Sequence, residues 1–152
     1  MRYSYPCRVV PDGDGWSVHF PDVPEAVMSA RSYDEALDFA EEALVGALAG
    51  YVEAHRALPA PGAPAPGQVV VTTPPLIAAK LALYAVMQRR RITKVELARR
   101  LGVSDTSAHR IVDPEHRSHI DQVERALRAV GRTLVVDDRA IVQEPRADAA
   151  SP

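Results

Sequence analysis

The chain is poor in cysteine, in long apolar runs and in net charge, and each scarcity excludes something. A single cysteine, Cys7, cannot close an internal disulfide, which points to a reducing cytoplasm rather than a disulfide-stapled secreted scaffold. No apolar run approaches the roughly 18 residues of a membrane span, because charges interrupt every candidate. The opening stretch MRYSYPCRVV holds no apolar segment that would serve as a signal peptide. No glycine-rich phosphate loop is found anywhere in the sequence. What is present is ordinary globular material: 152 residues, 47% hydrophobic and 25% charged, enough for one domain or two small ones.

The net charge of −2 is a cancellation. Residues 1–75 carry four basic and ten acidic side chains, a balance of −6, while residues 76–152 carry fourteen against ten, a balance of +4. Within residues 76–132 the excess rises to +6. Such asymmetry suggests that only the second half faces a polyanion.

Proline marks the division. Pro59, Pro61, Pro64, Pro66, Pro74 and Pro75 fall within seventeen residues, and residues 59–67 read as an extended connector because proline fixes φ and lacks an N–H donor. The β-branched run at 68–73 reads as a strand of the front part, so residues 1–73 form one expected domain. Within it, strands are expected at Tyr3–Val10, at Trp16–Phe20 and, after a Pro21–Pro24 turn, at Val27–Ala30. Ser32 and Glu35 form a capping box. The helix that follows buries Ala36, Leu37, Ala40, Leu44, Ala47, Leu48, Tyr51 and Val52 at helical spacing, with Asp34, Asp38, Glu41, Glu42 and Glu53 outward. The expected fold class is therefore α+β, a small sheet covered by one amphipathic helix, followed by an all-α part and a short last strand.

Residues 76–136 are the second expected domain. A helix over Leu76–Arg91 has Leu76, Ala79, Lys80, Leu83, Tyr84 and Met87 along one stripe. Thr93 caps a helix with Glu96 three residues on, Gly102 ends it, and Ser104 caps the next helix up to Asp113-Pro114. A fourth helix runs over Ile120–Val130, and Thr133–Val136 reads as a strand that either pairs between protomers or joins a local sheet. Residues 143–152 read as a disordered tail.

The stretch 93–112 has the layout of a helix-turn-helix: two short helices around a tight glycine turn. Val95, Ala98 and Leu101 are expected to face the core, Val103 to plug the turn, and Ala108 and Ile111 to bury the second helix. Asp105, Thr106, Ser107, His109 and Arg110 then project from a helix able to enter the major groove. Lys94 stands at a helix N-terminus, where side chain and dipole would both hold a phosphate; Ser104, Arg99, Arg100 and Arg117 complete the candidate set. Arg110 suits bidentate reading of guanine, and Asp105 suits either a cap or a cytosine N4 acceptor.

The chain resembles the HicB antitoxin family, in the branch with a C-terminal helix-turn-helix. The resemblance rests on Arg2-Tyr3, on Trp16-Ser-Val-His-Phe-Pro-Asp-Val-Pro-Glu-Ala26 and on Asp34-Glu-Ala-Leu37. It continues through Pro75–Tyr84, Glu96–Ser104, Asp113–Ser118 and Ile120–Leu127, so that it covers about residues 1–136. It implies a degenerate RNase H-like front domain that blocks a small RNA-cleaving HicA toxin, a back domain on the operator of its own operon, and assembly as dimers or larger. An RNA-cleaving toxin needs a basic surface, to which an acidic front is complementary. The candidate toxin contacts are Asp34, Asp38, Glu41 and Glu42, with Asp22 and Glu25 of the Pro21–Ala26 segment; Trp16 is either a core residue or an interface anchor.

A nuclease-like fold raises the question of catalysis. Two-metal hydrolysis needs converging carboxylates, yet Tyr3–Val10 offers none, and Asp12, Asp14 and Asp22 sit in turns. Ser17 and His19 alternate on a strand without a partner acid, and His116 and His119 lack a third ligand for zinc. No enzyme activity, metal or cofactor is expected. The competing reading is a stand-alone helix-turn-helix regulator whose front domain senses a small molecule or a protein.

Overall fold

A computed structural model describes residues 2–140. The chain is α+β. The N-terminal strands β1 (Ser4–Asp12), β2 (Gly15–Phe20) and β3 (Val23–Ala30) lead into helix α1 (Tyr33–Glu53). Strand β4 (Val69–Thr72) closes the sheet, and helices α2 (Pro75–Arg90), α3 (Lys94–Leu101), α4 (Asp105–Val112) and α5 (Ile120–Ala129) follow. The four strands are ordered β3-β2-β1-β4, with every neighbouring pair antiparallel.

Local chemistry explains these boundaries. The β1–β2 hairpin turns at Gly13, whose φ of +57° favours glycine. A side chain at Gly15 would bring its Cβ within 2.5 Å of the Ala30 carbonyl, so glycine permits the close approach of β3. The register pairs Val9 with Val18 on one face of the sheet, and Arg8 with His19 on the other. Beneath α1, Tyr5, Cys7, Val18, Phe20 and Val23 pack with Ala36, Ala40, Leu44 and Leu48. The expected turn at Pro21–Pro24 is shorter than the sequence suggests, because β3 begins at Val23 and is an edge strand. An edge position tolerates the missing N–H of Pro24.

The connector at 59–67 carries no helix or strand, yet side chains tie it and its approach to the body. Tyr5 Oη donates to the Pro59 carbonyl at 2.8 Å, and Asp22 Oδ2 accepts from Gly62 N at 2.8 Å. Tyr84 Oη and Gln88 Nε2, both on α2, donate to the carbonyls of Arg56 and His55. Pro75 starts α2 at a position where a missing N–H costs nothing.

Two expectations are corrected. Thr133–Val136 forms no strand: the segment is irregular, and Val135 and Val136 are 78% and 80% exposed. Among the described residues no strand pairs with it, and β-branched residues alone do not make a strand without a partner. Val95 does not face the core; it is 62% exposed, and Leu97 is buried in its place. At 100° per residue, Leu97, Ala98 and Leu101 share one face of α3 and Val95 falls outside it. The tail expected at 143–152 lies outside the described residues.

Candidate nucleic-acid and partner interfaces

The helix-turn-helix is built from its caps inward. Thr93 Oγ1 accepts from Glu96 N at 3.1 Å and starts α3; Gly102, at φ +66°, ends it. Ser104 Oγ accepts from Ser107 N at 3.1 Å and starts α4. Ala98 and Ala108 are buried where the two helices pack, and Ile111 and Val112 seal the inner side of α4. Thr106, His109 and Arg110 consequently stand on the exposed side of α4.

The candidate DNA-contacting residues are not equally free. Arg99 and Arg100 both engage Glu96, at 2.7 and 2.9 Å, and these hydrogen bonds hold the Glu96 carboxyl below its ordinary pKa. Ser104 and Ser107 share a hydroxyl hydrogen bond of 2.9 Å. Asp105 lies in the first turn of α4, where the helix dipole favours its charge; the capping bond itself comes from Ser104. Lys94 Nζ lies 3.1 Å from His109 Nδ1, and since an ammonium only donates, the imidazole nitrogen is the acceptor. This pair borders a cleft of about 290 Å³ between the end of α1 at Glu53, with His55 just beyond it, and α3–α4. Arg117 is exposed on the loop after α4.

A second groove of about 210 Å³ runs beside α4, with Arg110, Ser107, His116 and Ser118 on one side and Gln122 and Arg125 of α5 on the other. Arg125 was not anticipated as part of the cationic face. Its signal was its spacing, three residues after Gln122 on the polar side of α5.

On the N-terminal part, the acidic candidates separate into two groups. Asp22 is committed to the Gly62 amide. Glu25 accepts from Tyr51 Oη at 2.7 Å and from Arg56 at 3.0 Å, while the Arg56 guanidinium stacks 4.1 Å over the Tyr51 ring. The Tyr51 hydrogen bond, helped by a backbone amide and by Arg56, lowers the Glu25 pKa. Asp34, Asp38, Glu41 and Glu42 instead stand exposed along α1, with no ion pair among the described residues. Trp16 is half-buried and meets Tyr33 edge-on at 5.3 Å, so it both packs on the core and reaches the surface. Ser17 Oγ lies 2.8 Å from His19 Nε2. Among the described residues, no cluster of three or more His, Cys, Asp or Glu side chains could hold a metal ion, and no helix is long and apolar enough to cross a membrane.

Lys80 lies on the apolar stripe of its helix as the spacing predicts, but nothing in the sequence shows what holds its charge. Lys80 of α2 is fully buried, its ammonium held by the carbonyls of Arg110, Asp113 and His116 and by Ser118 Oγ. Burial pushes its pKa down, and the Asp113 carboxylate partly offsets this. The signal was a lysine on the apolar stripe of α2, easily taken for a snorkelling surface residue.

Residues 4–82 match the family model described as HicB_like antitoxin of bacterial toxin-antitoxin system. "Antitoxin HicB 2" of Photorhabdus laumondii is 40% identical over 130 residues, covering 86% of this chain and 92% of that protein. "Antitoxin HicB" of Pseudomonas fluorescens is 38% identical over 120 residues, covering 78% and 82%. "Antitoxin HicB" of Escherichia coli is 32% identical over 134 residues, covering 88% and 96%.

Proposed function

Since the chain belongs to the HicB-like antitoxins of bacterial toxin–antitoxin systems, we propose that it binds and neutralises a HicA-type mRNA-cleaving toxin and represses its own operon by binding operator DNA. The observation that carries this reading is the segregation of charge onto two built surfaces. Asp34, Asp38, Glu41 and Glu42 leave the outer side of α1 acidic and unpaired, which suits a protein whose own substrate is a polyanion. The exposed side of α4, with Arg110, Arg117 and Arg125 nearby, suits DNA.

The work divides along the chain. Residues 1–73 carry the toxin-binding surface, with Trp16 and Tyr33 as its aromatic edge, and residues 76–136 carry the DNA-binding surface. The chain acts in the cytoplasm by binding alone and catalyses nothing. A palindromic operator needs two recognition helices about 34–36 Å apart, so the working form is a dimer or a larger homo-oligomer. Co-expression tests the reading: the chain should restore growth to cells producing the protein of the adjacent reading frame, and charge reversal along α1 should abolish the rescue. Rescue by a variant lacking all four acidic side chains would refute the assignment of that surface.

A further inference from the structure

We infer that Lys80 is a positioning residue for DNA recognition: from inside the fold, its ammonium sets the exit of α4 and the loop that carries His116 and Arg117. The inference rests on the reading of α4 as the DNA-contacting helix.

The chain uses arginine for sixteen of its eighteen basic side chains, and one of its two lysines is in the interior. A buried ammonium without a carboxylate hydrogen-bonded to it is costly unless its N–H groups are satisfied. Here they are satisfied by main chain. The Arg110 carbonyl would ordinarily accept from the amide four residues on, but that residue is Pro114, which has none. Lys80 Nζ takes the place of the missing donor at 3.0 Å. It also donates to the Asp113 carbonyl at 2.8 Å and to the His116 carbonyl, with Ser118 Oγ at 2.9 Å. Three N–H donors are thus shared among four acceptors that span the end of α4 and the whole turn after it.

The position of the charge matters as much as the bonds. An ammonium at the carboxyl end of α4 opposes the negative end of its dipole, as Ser104 serves the opposite end. An eight-residue helix held at both ends presents Thr106, His109 and Arg110 in one orientation. Being fully buried, Lys80 touches no phosphate itself. Its loss should therefore affect reading of sequence without affecting charge-driven attraction to DNA.

The test compares the full chain with Lys80→Met on two duplexes, one carrying the region upstream of its own reading frame and one a scramble of equal length. Wild type should prefer the upstream duplex; absence of any preference removes the reading of α4 and the inference with it. Lys80→Met, at a temperature where its helical circular dichroism matches wild type, should lose about tenfold or more on the upstream duplex, because base contacts depend on helix placement. Its affinity for the scramble should stay within about twofold, because the phosphate-facing cations are intact. A folded Lys80→Met with undiminished preference overturns the inference, and so does a parallel loss on both duplexes. If Lys80→Met does not fold, Lys80→Gln decides: its amide keeps two donors at the same place but no charge and no third donor, and it should lower the preference by about two- to fivefold, at the lower end of what a single hydrogen bond contributes. Unchanged preference in a folded Lys80→Gln then overturns the inference.

Discussion

Replacing Lys94 by alanine removes one cation from the first turn of α3, and the structure offers two outcomes that differ in salt dependence. If the ammonium reaches a phosphate, it contributes about 0.9 to the slope of log affinity against log salt. Raising salt from about 50 to about 200 mM then weakens wild type by about 3.5-fold more than the variant, since fourfold in salt raised to that power is about 3.5. The ratio of wild-type to variant affinity should shrink by that factor, equally on operator and scrambled duplexes. Loss of a base contact behaves differently: Arg110→Ala should cost about 1–3 kcal/mol on the operator alone, at all salt concentrations. Fluorescence anisotropy on both duplexes over a salt series separates the two, with Lys94→Arg as the charge-preserving control. The alternative is that His109 and the cleft beside α1 hold Lys94 away from the duplex. A Lys94→Ala variant with wild-type affinity and slope would establish that and refute the assignment of Lys94 to the backbone.

Leu97→Ala should destabilise the helical part by about 2–5 kcal/mol in denaturant unfolding, because Leu97 is fully buried and leaves a cavity. Val95→Ala should change stability by no more than about 0.5 kcal/mol, and a larger loss would contradict the observed exposure. The combined Asp38→Lys and Glu42→Lys variant should slow association with the toxin and weaken its dependence on salt; an unchanged association rate would exclude α1 from the encounter. Glu25 has a folded-state pKa below its ordinary value, so its contribution to stability is present above the unfolded-state pKa and is lost as pH falls through the folded one. Tyr51→Phe removes the main cause, and the Glu25 carboxyl titration followed by NMR should move up towards 4.5. A midpoint unmoved by that substitution would deny the hydrogen bond its role.

What was legible in the sequence was local. Thr93, Gly102 and Ser104 announce the ends of α3 and α4 because a cap is a contact over three or four residues, and each stands where its chemistry requires. The proline cluster marked the connector, and the β-branched run at 69–72 found its place beside β1. Val95 misled because an eight-residue helix has too few turns for i, i+3 spacing to choose between neighbouring faces. Thr133–Val136 misled because strand-forming residues declare a propensity and not a partner. The pairs Lys94–His109, Asp22–Gly62 and Glu25–Tyr51 were illegible for another reason: each joins residues fifteen or more positions apart, and only packing decides which meet. They divide a uniform set of candidate charges into those committed to the fold and those left facing outward.

The proposed silencing of an RNA-cleaving partner by the acidic surface of α1 is open to a reconstituted assay. The purified full chain is mixed with the purified protein of the adjacent reading frame, and RNA cleavage is followed against the molar ratio. Cleavage by that protein should fall to background once the antitoxin is stoichiometric, and the two should elute as one complex. Continued cleavage in the presence of excess, folded antitoxin would contradict the proposed silencing.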